Sequence, residues 1–96
     1  MITISDKAAH WFKDEFSLQQ GQGLRITVKG YGNTNKHEGM SICVWPDYPE
    51  QPIMEIEKLG ILYYIEEVDD WFVEGYDLQI TFNEQLSEPK YEFVEQ

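Results

Sequence analysis

Two segments in which apolar and polar residues alternate, joined by a loop that contains three glycines, constrain the fold of this chain more than any other feature. The first segment spans residues 24–28 (LRITV) and the second spans residues 40–45 (MSICVW). Side chains two positions apart in a β-strand point to the same face of the sheet. Each segment is therefore predicted to be a strand with one buried face, and the loop between them is the first place to look for a functional site.

The remaining chain predicts one helix near the start and several short strands. Ser5 is a favourable N-cap, and Asp6 follows it where a negative charge suits the helix dipole, so a helix is expected over residues 6–16. A turn at Leu59 and Gly60 predicts a hairpin, and Gly75 is the expected end of a short acidic helix. The other predicted strands span residues 54–57, 61–65, 78–82 and 91–94, and the predicted loops span residues 46–52 and 83–89.

These elements predict a mainly β fold of the α+β class. We expect a compact β-sandwich or flattened barrel of about six strands, with the N-terminal helix and the short late helix packed against it, in a single domain over residues 1–96. The connections look like hairpins and are too short for parallel crossovers. Six aromatic side chains are expected in or near the core: Trp11, Phe12, Tyr63, Trp71, Phe72 and Phe82.

Charge is distributed unevenly along the chain. Residues 1–46 contain five Lys or Arg and four Asp or Glu, whereas residues 47–96 contain two and fourteen. Such an anionic second half repels phosphate backbones and anionic lipid, so neither nucleic acid nor a membrane is an expected partner. The single cysteine and the lack of an apolar leader pattern predict a cytoplasmic protein. The acidic surface is expected either to keep the protein soluble or to dock a basic partner or a cation.

His37 and Cys43 are the candidate metal ligands. They lie six residues apart in and after the glycine loop, and they are the only borderline or soft ligands close together in the sequence. His37 with Glu38 would suit a single iron or zinc ion. A symmetric dimer would instead bring together two copies of each residue, a set compatible with zinc or an iron–sulfur cluster. No metal at all is the third alternative.

Enzyme chemistry is not expected from this sequence. A Cys–His nucleophile pair needs surroundings that lower the thiol pKa, and the local sequence supplies none. Adjacent acids at positions 66–67 and 69–70 point in different directions on a short helix and are typical of solvated surface. The glycines at 30 and 32 lack the Gly-Lys-Ser/Thr ending of a phosphate-binding loop.

Four stretches together resemble the HesB-like family, the A-type iron–sulfur carriers and their relatives. The likeness is closest to a short branch of that family that is poor in cysteine. It is carried by residues 2–9, by residues 23–26 leading into the glycine loop, by Gly39-Met40, and by the acidic short helix before Leu78.

The resemblance implies a fold more than a chemistry. In A-type carriers three cysteines hold the cargo, but His37 stands here where the first would be, Cys43 matches none of the three, and the C-terminal pair is missing. It therefore implies a non-enzymatic protein, associated with iron–sulfur cluster assembly through a protein partner and able to form a homodimer. No cofactor is expected; bound iron or a cluster is the alternative. A small acidic interaction domain without any role in that assembly is a further hypothesis.

Overall fold

The computed structural model of the chain describes residues 1–32, 34 and 39–96. Within these residues two sheets enclose the core, together with one α-helix and one 3-10 helix. The elements are β1 (Ile2–Ile4), α1 (Asp6–Glu15), β2 (Gly23–Lys29), β3 (Ser41–Asp47), β4 (Pro52–Lys58), β5 (Ile61–Glu66), the 3-10 helix (Glu67–Phe72), β6 (Tyr76–Asn83) and β7 (Glu88–Glu95).

The strands form a three-stranded sheet in the order β1-β6-β7 and a four-stranded sheet in the order β3-β2-β5-β4. Buried side chains of both sheets and of α1 pack into one apolar cluster between them. Phe12 of α1 meets Tyr63 of β5 edge to face, with ring centroids 5.5 Å apart. The predicted class, a mainly β sandwich with an N-terminal helix, is confirmed.

Local signals predicted several elements correctly. The Ser5 hydroxyl accepts a hydrogen bond from the Ala8 amide and caps α1, as expected of a serine at this position. Strands β4 and β5 form the predicted hairpin, with Lys58 opposite Ile61. Leu59 and Gly60 both have positive φ angles in its two-residue turn, which matches the right-handed twist of the flanking strands.

The expectation that the chain contains no parallel pairs is wrong. Strand β1 pairs in parallel with β6, with Ile2 opposite Leu78, and β2 pairs in parallel with β5, with Leu24 opposite Tyr63. A parallel pair needs a long connection, and here the intervening elements supply it. Strands β3 and β4 lie between β2 and β5 in the chain and form the two edges of the same sheet. The chain therefore reaches β5 through these two strands, whose short connections look like hairpins in the sequence.

Two predicted loops are partly strand. Pro46 lies in β3 opposite Leu24, and Pro89 lies in β7 opposite Phe82. Both strands are at sheet edges, where a residue that lacks an amide hydrogen can face away from its neighbour without breaking a ladder bond. The prolines therefore did not end the strands, and the β6–β7 hairpin is longer than the pattern indicated.

No helix in residues 1–32, 34 and 39–96 has the length and apolar character needed to cross a membrane.

Candidate functional site

Arg25 is the centre of a polar cluster on the four-stranded sheet. It is the only arginine of the chain. Its register partners are Trp45 in β3 and Tyr64 in β5, and Tyr64 in turn lies opposite Glu55 in β4. Partners across a ladder point to the same side, so these four residues define one face of the sheet, here called the Arg25 face, which is opposite the core.

The Arg25 guanidinium joins the sheet to the 3-10 helix. One nitrogen lies 2.9 Å from an Asp69 carboxylate oxygen, and the other lies 3.4 Å from Asp47 at the end of β3. The hydrogen bond to Asp69 is the main reason that the pKa of Arg25 is raised. Asp69 is only 14% exposed, so this pair is screened less than a surface ion pair and fixes the helix against the sheet.

A buried carboxylate holds the connection between β3 and β4. These strands are at opposite edges of the sheet, so residues 48–51 must pass across the Arg25 face. Both oxygens of Glu66 accept backbone hydrogen bonds from this segment, one from Glu50 and one from Gln51, each at 2.7 Å. The Glu67 amide donates to the Gln51 carbonyl oxygen at 2.9 Å. Three hydrogen bonds thus tie the crossing segment to the end of β5 and the start of the 3-10 helix.

A cleft of about 140 Å³ opens beside this connection, lined by Arg25, Tyr48, Val68 and neighbouring acids. The Tyr64 side chain is fully buried, its hydroxyl has no hydrogen-bond partner among the described residues, and burial is the main cause that raises its pKa to about 12. Asp47 and Glu66 raise it further. The carboxylates of Asp47 and Asp69 are bonded to Arg25, and that of Glu66 is bonded to backbone amides, as in a structural cluster.

The 3-10 helix presents apolar side chains to solvent. Val68 is 75% exposed and Trp71 is 48% exposed. A 3-10 helix has three residues per turn, so residues three apart lie one above the other, and Val68 and Trp71 share one side. Asp69 and Phe72 share another side, where Asp69 meets Arg25 and Phe72 is fully buried.

Trp71 was predicted to lie in or near the core, but it is 48% exposed and its ring meets the buried Phe72 edge to face, for the same geometric reason. At the α-helical period, Val68, Trp71 and Phe72 fall on a single apolar stripe. The tighter 3-10 winding turns Phe72 inward and leaves Trp71 at the surface. The other predicted core aromatics are buried, as Phe12, Tyr63 and Phe72 are, or partly buried, as Trp11 and Phe82 are.

Of the two predicted metal ligands, the structure describes only Cys43. His37 lies outside the described residues. Cys43 is half-buried in β3, opposite Thr27 of β2. In residues 1–32, 34 and 39–96, no group of three or more His, Cys, Asp or Glu is placed to hold a metal ion. His37 and Cys43 as a ligand pair remain an untested prediction.

Sequence reasoning missed Arg25 as the centre of the cluster and the exposed pair Val68 and Trp71. The sequence does contain one signal for Arg25. It is the only arginine, it lies in an alternating strand, and many acids follow it, so it is a candidate for an ion pair with one of them. No local signal separated a 3-10 helix from an α-helix over Glu67–Phe72.

The described residues define a small α+β sandwich protein whose ionisable cluster is structural and whose 3-10 helix exposes apolar and acidic side chains. The chain is 34% identical over 92 residues to a pyruvate dehydrogenase inhibitor of Bacillus subtilis, an overlap that covers 96% of this chain and 97% of the relative. It is 30% identical over 93 residues to an uncharacterized protein of Staphylococcus saprophyticus, with coverages of 94% and 95%. The chain belongs to the family of the Bacillus subtilis inhibitor. No protein-family model matches it.

These comparisons overturn the resemblance to the HesB-like family. No family model supports it, and the relative with an assigned name is a pyruvate dehydrogenase inhibitor. The same finding contradicts the predicted function in iron–sulfur cluster assembly. It also contradicts the alternative prediction that the function is metal-ion binding. The stretches that carried the likeness are a helix N-cap, strand starts and glycine turns, and such features recur wherever the same local structures form.

Proposed function

We propose that this chain inhibits pyruvate dehydrogenase by binding to it as a folded protein, without catalysing a reaction itself. The observation that carries the proposal is the near full-length relationship to the Bacillus subtilis inhibitor. A similarity that spans almost the whole of both chains indicates that the entire fold is shared, including the surface with which an inhibitor would act. We also infer a cytoplasmic location, since a chain with one cysteine needs no oxidising compartment.

The geometry supports a binding protein. Arg25 is engaged with Asp47 and Asp69, and Glu66 with two backbone amides, so these bonds make the described surface rigid. The 3-10 helix, by contrast, exposes the apolar side chains of Val68 and Trp71, and tryptophan is a residue type that often dominates binding energy in protein interfaces. The sequence predicted that the partner is a protein, and we keep that prediction. We propose pyruvate dehydrogenase as this partner in place of the iron–sulfur assembly machinery.

The test is the rate of pyruvate oxidation by purified pyruvate dehydrogenase of Bacillus subtilis at increasing concentrations of this chain. We expect the rate to fall and level off as the inhibitor saturates the enzyme, and to recover on dilution because binding is not covalent. An unrelated acidic protein of similar size and net charge is the control. An unchanged rate at a large excess of the folded chain contradicts the proposal. A loss of rate that persists after dilution, with an altered mass of the enzyme's chains, contradicts the non-enzymatic mechanism.

A further inference from the structure

We infer that this inhibitor binds pyruvate dehydrogenase through the exposed side of its 3-10 helix, and that the complementary surface of the enzyme is basic. The surface consists of Tyr48, Val68 and Trp71 with the acids Glu67 and Asp70, and is here called the Trp71 surface. The inference rests on the proposed function and adds to it the position of the interface and the chemistry of the partner's side.

The apolar part of the Trp71 surface suits an interface anchor. Trp71 and Val68 lie on one side of the helix, and Val68 lines the same cleft as Tyr48, which is 50% exposed. Tryptophan and tyrosine are over-represented among residues that dominate binding energy, because they bury a large area at a small cost in side-chain entropy. Neighbouring exposed apolar side chains on a small protein are a feature of contact surfaces.

The negative charge of this region predicts a positively charged contact surface on its partner. Residues 59–89 contain eight Asp or Glu and no Lys or Arg. Glu67 and Asp70 are exposed on the helix, whereas the one nearby guanidinium, that of Arg25, is engaged with Asp47 and Asp69. The acids around Trp71 therefore have no basic residue beside them within residues 59–89, and Arg25 is engaged elsewhere. Such a surface attracts lysine and arginine side chains, increases the rate of encounter with them, and repels acidic proteins.

The surface is also held in place before binding. The inward side of the 3-10 helix is fixed by the Asp69–Arg25 pair and by the fully buried Phe72, and Val73, which follows the helix, is also fully buried. The segment that carries Tyr48 is tied to the sheet by Glu66. A preformed surface loses less conformational entropy on binding than a loop that must become ordered, so more of the contact energy appears as affinity.

The experiment measures binding to immobilised pyruvate dehydrogenase of Bacillus subtilis and, in parallel, inhibition of the enzyme in solution. Trp71→Ala and Val68→Ser remove the anchors, and Glu67→Lys with Asp70→Lys reverses the charge. The matched controls are Leu86→Ala and the pair Asp14→Lys with Glu88→Lys, which change exposed side chains elsewhere on the protein. Leu86 and Glu88 lie at the turn end of the β6–β7 hairpin, a strand's length from the 3-10 helix.

We expect Trp71→Ala to weaken binding by about tenfold or more, and Val68→Ser to weaken it by a smaller factor. The Glu67→Lys and Asp70→Lys double variant should lower the association rate about tenfold at low salt, and the difference from the unmodified chain should shrink when salt rises from roughly 0.05 to roughly 0.5 M. The control variants should bind and inhibit like the unmodified chain. Thermal unfolding identifies any variant whose fold is lost; Val68→Ser still tests the anchor, because a 75% exposed side chain contributes little to the core.

The outcomes separate this inference from the proposed function. If the unmodified chain neither binds nor inhibits the enzyme, both are wrong. If it binds and inhibits, and the Trp71, Val68 and charge-reversal variants do so equally well, only the position of the interface is wrong. If the Trp71 surface instead joins two copies of this chain, sedimentation will show a dimer that Trp71→Ala dissociates while inhibition persists, and the basic partner is refuted.

Discussion

Replacing Glu66 by glutamine should destabilise the protein far more than the same change at its neighbour Glu67. The Glu66 carboxylate is 6% exposed and accepts two backbone hydrogen bonds at 2.7 Å, from Glu50 and Gln51. A hydrogen bond to a charged group contributes about 1.5 to 3 kcal/mol. Glutamine retains one acceptor oxygen, but its amide group turns a donor toward the second backbone amide. Both charge-assisted bonds are lost, only one is replaced by a neutral bond, and at the second position two donors face each other without an acceptor, so we expect a loss of about 2 to 4 kcal/mol.

Urea unfolding measures this loss directly. For a domain of this size the free energy of unfolding falls by about 1 to 2 kcal/mol per M urea, so a loss of about 2 kcal/mol lowers the unfolding midpoint by roughly 1 to 2 M. Hydrogen exchange adds a local readout, because the amides of Glu50 and Gln51 should lose their protection in Glu66→Gln. The control is Glu67→Gln, which removes the charge of an exposed side chain at the adjacent position.

The reasoning fails if the two variants have the same midpoint and the two amides exchange at unchanged rates. That result would mean that the connection between β3 and β4 holds its path without the carboxylate. If Glu66→Gln unfolds earlier and the two amides keep their protection, the loss of stability arises elsewhere, and the two hydrogen bonds are not its cause.

Three further predictions concern the turn, a close contact and alkaline stability. Leu59→Asn should stabilise the protein by about 0.5 to 1 kcal/mol, seen as a higher urea midpoint, because Leu59 has a φ of 52° in a two-residue turn that asparagine tolerates; an unchanged midpoint contradicts this. Gly23→Ala should cost about 1 to 3 kcal/mol, since the added Cβ would lie 2.7 Å from a backbone carbonyl oxygen of β5, whereas Gly30→Ala meets nothing within 4 Å and should be neutral. Burial raises the pKa values of Tyr63 and Tyr64 to about 12, and unfolded phenols titrate near 10. The contribution of these two buried, protonated phenols to the free energy of unfolding is therefore complete below about pH 10 and is lost as the pH rises through about 12. Urea midpoints across this range, compared with those of Tyr64→Phe, should show a smaller alkaline loss in the variant, and equal losses in the two proteins would refute it.

Elements with short-range signals could be predicted from the sequence. Helix α1 is specified by an N-cap and an apolar stripe within ten residues, and the β4–β5 hairpin by a two-residue turn. The mainly β class, as a sandwich or a flattened barrel, followed from the alternating strands together with the predicted helices and the short connections. The parallel pairs could not be predicted, because alternation identifies which face of a strand is buried and not which strand lies beside it.

The exposure of Trp71 and the ion pairs of Arg25 could not be predicted from neighbouring residues in the sequence. Trp71 and Phe72 are adjacent aromatics in an acidic segment, and only the winding of the helix decides which one is buried. Arg25 forms its ion pairs with Asp47 and Asp69, residues 22 and 44 positions away, which lie close to it only because β2 is between β3 and β5. The resemblance to the HesB-like family was misleading for a related reason. It was based on several short local patterns, and such patterns reflect local structure in many families.

The parallel pairing of β1 with β6 has a consequence for the order of events during synthesis. Ile2 pairs with Leu78, and the Met1 carbonyl oxygen accepts a hydrogen bond from the Leu78 amide at 2.9 Å. Ribosomes add roughly 5 to 20 residues per second, so β1 waits about 4 to 15 s for its partner strand to be made. Near the end of that interval, once residue 66 has been added, the four-stranded sheet has all its strands, but β6 and β7 of the sheet that covers its apolar face have not yet been made. The sandwich therefore closes in a late step, and chaperone access to the growing chain should end when β6 and β7 emerge.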